Sequence, residues 1–329
     1  MPVASFSFPA IVEAGRSSSP EGKNLLAALD AALIDPGAFR LSDLPLTEAM
    51  VEEMHQVTDA FFELPMDVKA TYRYVEDQYV GWCGGEFLSQ YGSADRKEMF
   101  HIGPRVAPTL AVHGNNGSVP VAVVDIAEQA LATCALWPAV PDAFIGIWHD
   151  YYAAMQGVAA GLGSALAVLL GVDPAEWFAA MQDNWADLAA NYYPPLGERE
   201  GAAETVYNAA HRDLTVFTIL HQDQSRAGGL SVQAADGSWE PVEPVPGTYV
   251  VNVGELLTYL SGGRWRAPPH QVTVTSDGAP QPVGRISVPF FYRPNDERIV
   301  RSFVEPDAAP IAVGDWVLDR KRKVASSGT

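Results

Sequence analysis

Between Leu188 and Tyr292 the chain is cut into short β-prone runs, and their spacing limits the folds open to it. The runs are Ala189 to Tyr193, Leu214 to Leu220, Leu230 to Val232, Thr248 to Val253, Gln271 to Thr275 and Arg285 to Tyr292. Gly, Pro and Asp turns separate them. Runs this short and this frequent build a sandwich or barrel of antiparallel strands. The N-terminal half reads differently. Ser19-Pro20-Glu21 and Thr47-Glu48 are helix starts, each a polar cap with Pro or an acid in the first turn. The first opens a helix over Leu25 to Leu33, and the second a helix running to about Phe62. Residues 1–10 read as a short strand with Phe6 and Phe8 on one face. Gly37 to Leu41 and Met99 to Ile102 read as further strands, and residues 104–120 as a loop. Helices are predicted over Val121 to Leu136, over Asp142 to Leu170, and from the Asp173-Pro174 cap to about Met181. The expected architecture is α+β, mainly β at its core. A helical half, residues 1–185, packs on a double-sheet core, residues 186–318, with a basic, then Ser/Gly-rich, flexible tail over 319–329.

Composition narrows the partners. The net charge is −19, which argues against nucleic acid, because phosphate backbones call for clustered Lys and Arg. Cys83 and Cys134 are the only cysteines, too few for a disulfide framework and suited to a reducing cytoplasm. No C-x-x-C occurs, so a structural zinc site is not expected. The N-terminus shows no basic region followed by an apolar core, so no signal peptide is expected. The longest apolar run, Gly157 to Val172, is short for a membrane span and broken by Gly161 and Gly163. It reads as a buried helix, and no membrane partner is expected.

The residues that carry chemistry fall in the β half. His211-Arg212-Asp213 places an imidazole and a carboxylate two residues apart, on one face if the triplet is a strand. His270 follows Pro268-Pro269. If a later strand brings it alongside, two histidines and a carboxylate leave one face of a metal open, the ligand set of non-haem Fe(II) oxygenases. Arg285 and Ser287 share a strand face. A guanidinium fork and a hydroxyl suit the carboxylate of an acidic cosubstrate. Periodicity leaves a rival open, since His221-Gln222-Asp223 is a second H-x-D flanking the same apolar run. An aromatic-rich stretch, residues 70–100, can wall a pocket. Tyr72, Arg73, Tyr79, Trp82 and Phe87 are its candidate substrate contacts, with packing under a loop as the alternative. Arg73 could pair with a substrate carboxylate or simply face solvent.

Over residues 37 to 318 the chain resembles the isopenicillin N synthase-like Fe(II)/2-oxoglutarate-dependent oxygenases. The matching motifs include Phe61-Phe62-x-Leu64-Pro65 with Lys69, Gly81-Trp82, Asp95-x-Lys97-Glu98-x-Phe100 and Asn191-Tyr192-Tyr193-Pro194-Pro195. His211-x-Asp213, Leu220-x-Gln222-Asp223, Val251-Asn252-Val253-Gly254, His270-x-Val272 and Arg285-x-Ser287 follow in order. The resemblance implies a double-stranded β-helix, or jelly roll, with Fe(II) held by His211, Asp213 and His270. It implies 2-oxoglutarate held by Arg285 and Ser287, helped by Asn191 and Tyr193. It makes His221 a bystander. The activity it implies is oxidation by O2, in the simplest case hydroxylation, of a small-molecule substrate, coupled to conversion of 2-oxoglutarate to succinate and CO2. Three alternatives stand beside this: an oxidase of the same fold that forms rings or desaturates without 2-oxoglutarate, a metal-free binding protein on the same barrel, and a metal-dependent hydrolase. Residues 196–207 are longer than usual for the family and could form a lid. The interval from His270 to Arg285 is also long, with Asp277-Gly278-Ala279-Pro280 as a candidate longer turn.

Overall fold

A computed structural model describes residues 3–74, 80–84, 95–103, 110–112, 121–123, 138, 143–195, 204–223, 229–275 and 284–327. Its strands in the first half are β1 (Ser5–Ser7), β2 (Ala38–Ser42), β3 (Val80–Cys83), β4 (Glu98–Ile102), β5 (Leu110–Val112) and β6 (Val121–Val123). The second half adds β7 (Asp187–Tyr193), β8 (Glu204–His211), β9 (Phe217–Gln222), β10 (Leu230–Gln233), β11 (Trp239–Pro241), β12 (Thr248–Val253), β13 (His270–Thr275) and β14 (Arg285–Tyr292). The large sheet runs β1-β2-β12-β9-β14-β7-β4-β3, and the small one β11-β10-β13-β8. Within these two sheets only β1 and β2 pair in parallel.

Strand alternation sorts the side chains of the large sheet into two cores. Ile219, Val251, Ile286, Val288 and Phe290 face the helices, within the main apolar cluster. Their neighbours Leu220, Val250 and Tyr193 face the small sheet, where they meet Tyr207, Leu230, Val232 and Val272. The two sheets therefore close over a thin core of their own, as the jelly-roll expectation requires. The helices cover the opposite face. Those of six residues or more are α1 (Phe8–Arg16), α2 (Pro20–Ile34), α3 (Glu48–Phe62), α4 (Phe144–Leu170), α5 (Pro174–Ala180), α6 (Glu255–Leu260) and α7 (Val313–Ser327).

Helix boundaries follow local chemistry. The Ser19 hydroxyl accepts from the Gly22 amide at 3.0 Å, and Thr47 does the same for Met50 at 3.1 Å. Both satisfy amides that the first turn leaves without partners. The long helix α4 ends at Gly171 in the left-handed conformation (φ 72°), where a Cβ would be strained. Its length and hydropathy would let it cross a membrane, yet Trp148, Tyr152, Met155, Val158 and Leu162 along it are buried in the main core.

Three of the N-terminal motifs meet in one buried knot. The Lys69 ammonium lies 2.5 Å from Glu98 Oε2 and donates to the Phe62 carbonyl at 2.9 Å. The Trp82 indole N–H donates to the same Glu98 oxygen at 2.8 Å. Lys69 is 4 % exposed and Trp82 1 %, so this knot pins β3 and β4 to the end of α3.

Several expectations are corrected. Residues 1–10 do not form one strand: β1 gives way at Phe8 to α1, whose Ile11 and Ala14 are buried at helical spacing. Val121 to Val123 is not helical but a β-strand paired with Leu110 to Val112, in keeping with its Val-Ala-Val alternation. The rest of that expected helix, 124–137, lies outside the described residues. Residues 204–207, expected in a lid loop, begin β8, the edge strand of the small sheet. Leu214 to Val216 form a bend, and β9 starts only at Phe217. The helix α6 was not anticipated. The tail taken as flexible from residue 319 is helical to Ser327. Val313 and Val317 are buried, Arg320 pairs with Glu255 at 3.0 Å, and Lys323 pairs with Asp319 one turn earlier at 2.6 Å.

Candidate metal centre

The register of β8 and β13 sets His211 directly opposite His270, with ring centroids 4.3 Å apart. Asp213 arrives by a different route from the one expected. β8 ends at His211, so no strand face carries the H-x-D triplet. Instead the turn after β8 folds back, fixed where the Glu255 amide donates to the Asp213 carbonyl at 2.8 Å. Gly254 is required at this closure, because a Cβ there would lie 2.0 Å from the Thr215 carbonyl oxygen. Asp213 Oδ1 then stands 3.6 Å from His211 Nε2 and 3.6 Å from His270 Nε2. The three ligand atoms lie within 4.8 Å of one another.

The surrounding hydrogen bonds leave those atoms available. His211 Nδ1 faces the Ala209 carbonyl at 2.8 Å, and His270 Nδ1 faces the Pro268 carbonyl at 3.3 Å. A carbonyl can only accept, so both Nδ1 atoms carry the proton and both Nε2 atoms present a lone pair. Asp213 Oδ2 accepts from the Thr218 hydroxyl at 2.6 Å and from the Asn252 amide at 2.8 Å, which leaves Oδ1 for the metal. Burial alone would raise the Asp213 carboxyl, but the His270 and His211 imidazoles and the Thr218 hydroxyl outweigh it, and it is held well below the carboxylate range. Burial brings the His270 imidazole down to about 4, so it is neutral and ready to ligate near pH 7. Burial works against charge on His211 too, but the Asp213 carboxylate outweighs it and raises that imidazole, so a metal would displace its proton on binding. Two imidazoles and one carboxylate, each oriented by a partner behind it, fit a ferrous ion with open positions.

Thr218 and Asn252 were not singled out as functional residues, although each is a buried polar side chain flanked by apolar neighbours on its strand. That pattern was their signal. Replacing Asn252 with Leu should weaken Fe(II) binding about 10- to 100-fold, the usual effect of losing an outer-shell partner. Fe(II) titration of the apo chain checks it, and an unchanged affinity would deny that Asn252 orients Asp213.

A small cavity of about 50 Å³ adjoins the three ligands. Strand alternation aims Arg285, Ser287, Asn191 and Tyr193 inward from adjacent strands, with Arg285 opposite Tyr193 and Ser287 opposite Asn191. Ser287, Asn191 and Tyr193 line the cavity. The Ser287 hydroxyl is 3.3 Å from Tyr193 Oη and 3.5 Å from Asn191 Nδ2. The Arg285 guanidinium lies beside them, 4.8 Å over the Tyr193 ring. Both members of the R-x-S pair are buried. From outside, Asp95 accepts the Ala209 amide at 2.9 Å, and Lys97 donates to Asn208 at 3.0 Å, which holds β8 in place.

The rival triplet faces the other way. Thr218 and Leu220 of β9 line the metal cavity, so alternation turns His221 to the helix side. There its Nδ1 lies 2.7 Å from His55 Nε2 on α3, and burial drives its pKa to about 3. Of the substrate contacts proposed from sequence, Trp82 belongs to the buried Lys69–Glu98 knot. Tyr72 packs its ring 6.0 Å from that of Phe61, and Arg73 is exposed beside β3. None of these three lines the metal cavity. Tyr79, Phe87, residues 196–203 of the expected lid and the 277–280 turn lie outside the described residues.

Two family models match the chain: the 2OG-Fe(II) oxygenase superfamily over residues 184–294, and the non-haem dioxygenase in morphine synthesis N-terminal family over residues 2–118. Gibberellin 20 oxidase 2 of Oryza sativa subsp. indica is 29% identical over 296 residues, covering 88% of this chain and 69% of that protein. Validamycin A dioxygenase of Streptomyces hygroscopicus subsp. limoneus is 27% identical over 315 residues, covering 92% and 80%. Among solved structures, a 2OG-Fe(II) oxygenase family protein from Caulobacter crescentus superposes with a TM-score of 0.75 at 22% identity, covering 98% of this chain and 99% of that one. The rice dioxygenase for auxin oxidation superposes with a TM-score of 0.74 at 21% identity, covering 98% and 95%. With a helical half and a β half each matched by its own model, and with the metal-ligand set converged inside the barrel, the chain belongs to the Fe(II)- and 2-oxoglutarate-dependent oxygenases.

Proposed function

We propose that His211, Asp213 and His270 hold one Fe(II), and that Ser287 and Arg285, with Asn191 and Tyr193, hold the far carboxylate of 2-oxoglutarate. The enzyme then oxidises a small molecule, in the simplest outcome by hydroxylation. The observation that carries the reading is the convergence of both Nε2 atoms on Asp213 Oδ1 at the mouth of a cavity that Ser287 also lines. When bound, iron and 2-oxoglutarate with O2 supply the oxidising power, releasing succinate and CO2. The protein's own share is positioning. The Ala209 and Pro268 carbonyls fix the imidazole tautomers, Thr218 and Asn252 fix the carboxylate, and a buried guanidinium answers the charge of the cosubstrate. Apolar Leu220, Val232, Val250 and Val272 wall that cavity and keep water from the reacting atoms. The small-molecule reading draws support from relatives named for a gibberellin and for validamycin A, and a cytoplasmic setting from the sparse cysteines.

Substrate-stimulated succinate formation that needs added Fe(II) tests the reading. In Arg285→Ala the KM for 2-oxoglutarate should rise about 10- to 100-fold, the loss of one hydrogen bond to a charged group. An unchanged KM would favour the alternative in which the R-x-S pair does not hold 2-oxoglutarate.

A further inference from the structure

An open cleft of about 880 Å³ lies between α6, the turn 262–267 and α7. It shares no lining residue with the metal cavity. Four arginines line it, Arg212, Arg264, Arg266 and Arg320, against two carboxylates, Glu255 and Glu305. That concentration of positive charge stands out in a chain of net charge −19.

The four guanidiniums are not equally free. Arg266 is committed to the carbonyls of Pro36, Gln233 and Ala234. Arg264 is paired with Asp30 at 2.7 Å. Arg320 bonds Glu255 at 3.0 Å and lies 5.2 Å over the Trp316 ring. Arg212 is anchored only through Nε, which donates to the Ala267 carbonyl at 3.0 Å. Among the described residues nothing accepts from its two terminal nitrogens. Arg212 and Arg266 also share the cleft as like charges. Burial first, then the field of Arg212, depresses the Arg266 pKa. Asp35 partly offsets that field at Arg266, whose donors are already taken by carbonyls, so the terminal nitrogens of Arg212 are the ones left to an anion entering the cleft.

We propose that this cleft is a second ligand site, outside the metal cavity, that takes the anionic group of a small molecule on Arg212 and Arg320, with Trp316 and Tyr259 as aromatic wall. A carboxylate and a tetrahedral oxyanion share the needed chemistry, since both accept from a planar guanidinium fork.

The test is calorimetric titration of the full chain, saturated with Mn(II) and 2-oxoglutarate so that the Arg285 clamp is occupied. The probes are sodium sulfate and sodium benzoate. Failure of the chain to bind Mn(II) or 2-oxoglutarate would register separately and would bear on the metal-centre reading alone. The expected result is saturable binding of at least one probe, weakened about tenfold or more in both Arg212→Gln and Arg320→Gln. The exposed Arg301→Gln, away from the cleft, should bind as the parent does. Binding of benzoate alone assigns the site to carboxylates, and of sulfate alone to tetrahedral oxyanions. Arg320 sits on a different element from the metal ligands, so its variant reports on the cleft even where Arg212→Gln disturbs the loop to Asp213. Absence of saturable binding by either probe, or binding as tight as the parent's in either variant, overturns the proposal.

Discussion

Asp213→Ala is expected to lower iron-dependent turnover by more than about a hundredfold, beyond the range seen when only an outer-shell partner is lost. Asp213 supplies the single negative charge among the three ligands, and its Oδ1 is the atom on which both imidazoles converge. Without it the two neutral imidazoles still face each other, but they form a weaker site for a hard divalent ion that favours oxygen as well as nitrogen donors. The Thr218 hydroxyl and the Asn252 amide also lose their acceptor. An unpaired buried polar group costs about 1–3 kcal/mol, so the variant should unfold more readily than the parent while keeping its far-UV circular dichroism. Steady-state succinate formation and Fe(II) titration check both parts. Activity above a tenth of the parent's would mean that the metal is held by other groups.

The second large effect is on stability. Glu98→Leu should destabilise the fold by about 3–5 kcal/mol, the usual penalty for stranding a buried charge. Lys69 would keep one carbonyl partner, that of Phe62, for an ammonium with a 5% exposed side chain. The Trp82 indole would lose this acceptor. The double variant Lys69→Met/Glu98→Leu should recover much of the loss, because an apolar pair of similar volume removes the charge rather than orphaning it. Urea midpoints of the two variants make the comparison. If the single variant is as stable as the parent, the knot does not hold β3 and β4 to α3.

The sequence made the β half legible because its strands carry period-two patterns bounded by turn residues. β12 and β14 fall where the spacing places them, and Arg285-x-Ser287 faces inward because Ile286, Val288 and Phe290 face the helices. The capped helices α2 and α3 were legible for a similar reason, since Ser19 and Thr47 act on their own first turns. What could not be read was anything set by distant partners. The edge strand β8 has a short β-prone run, Thr205-Val206-Tyr207, but Asn208-Ala209-Ala210 weakens the signal toward His211, and Asp95 and Lys97 hold that end from far along the chain. Asp213 reaches the site through a turn fixed by Gly254 and Glu255, not by the strand alternation that its spacing from His211 suggested. Trp82 looked like a pocket aromatic because its partner Glu98 lies 16 residues away in sequence. The two H-x-D triplets could not be ranked by pattern, since both flank the same run. Only the register across β9 shows which of its faces meets the small sheet.

The most direct test is anomalous diffraction from crystals of the chain grown with Mn(II) and 2-oxoglutarate. The account predicts one strong peak per chain, bonded to His211 Nε2, His270 Nε2 and one oxygen of Asp213, with the far carboxylate of 2-oxoglutarate on Arg285 and Ser287. A peak located elsewhere, such as beside His55 and His221, with the three proposed ligands left bare, would contradict it.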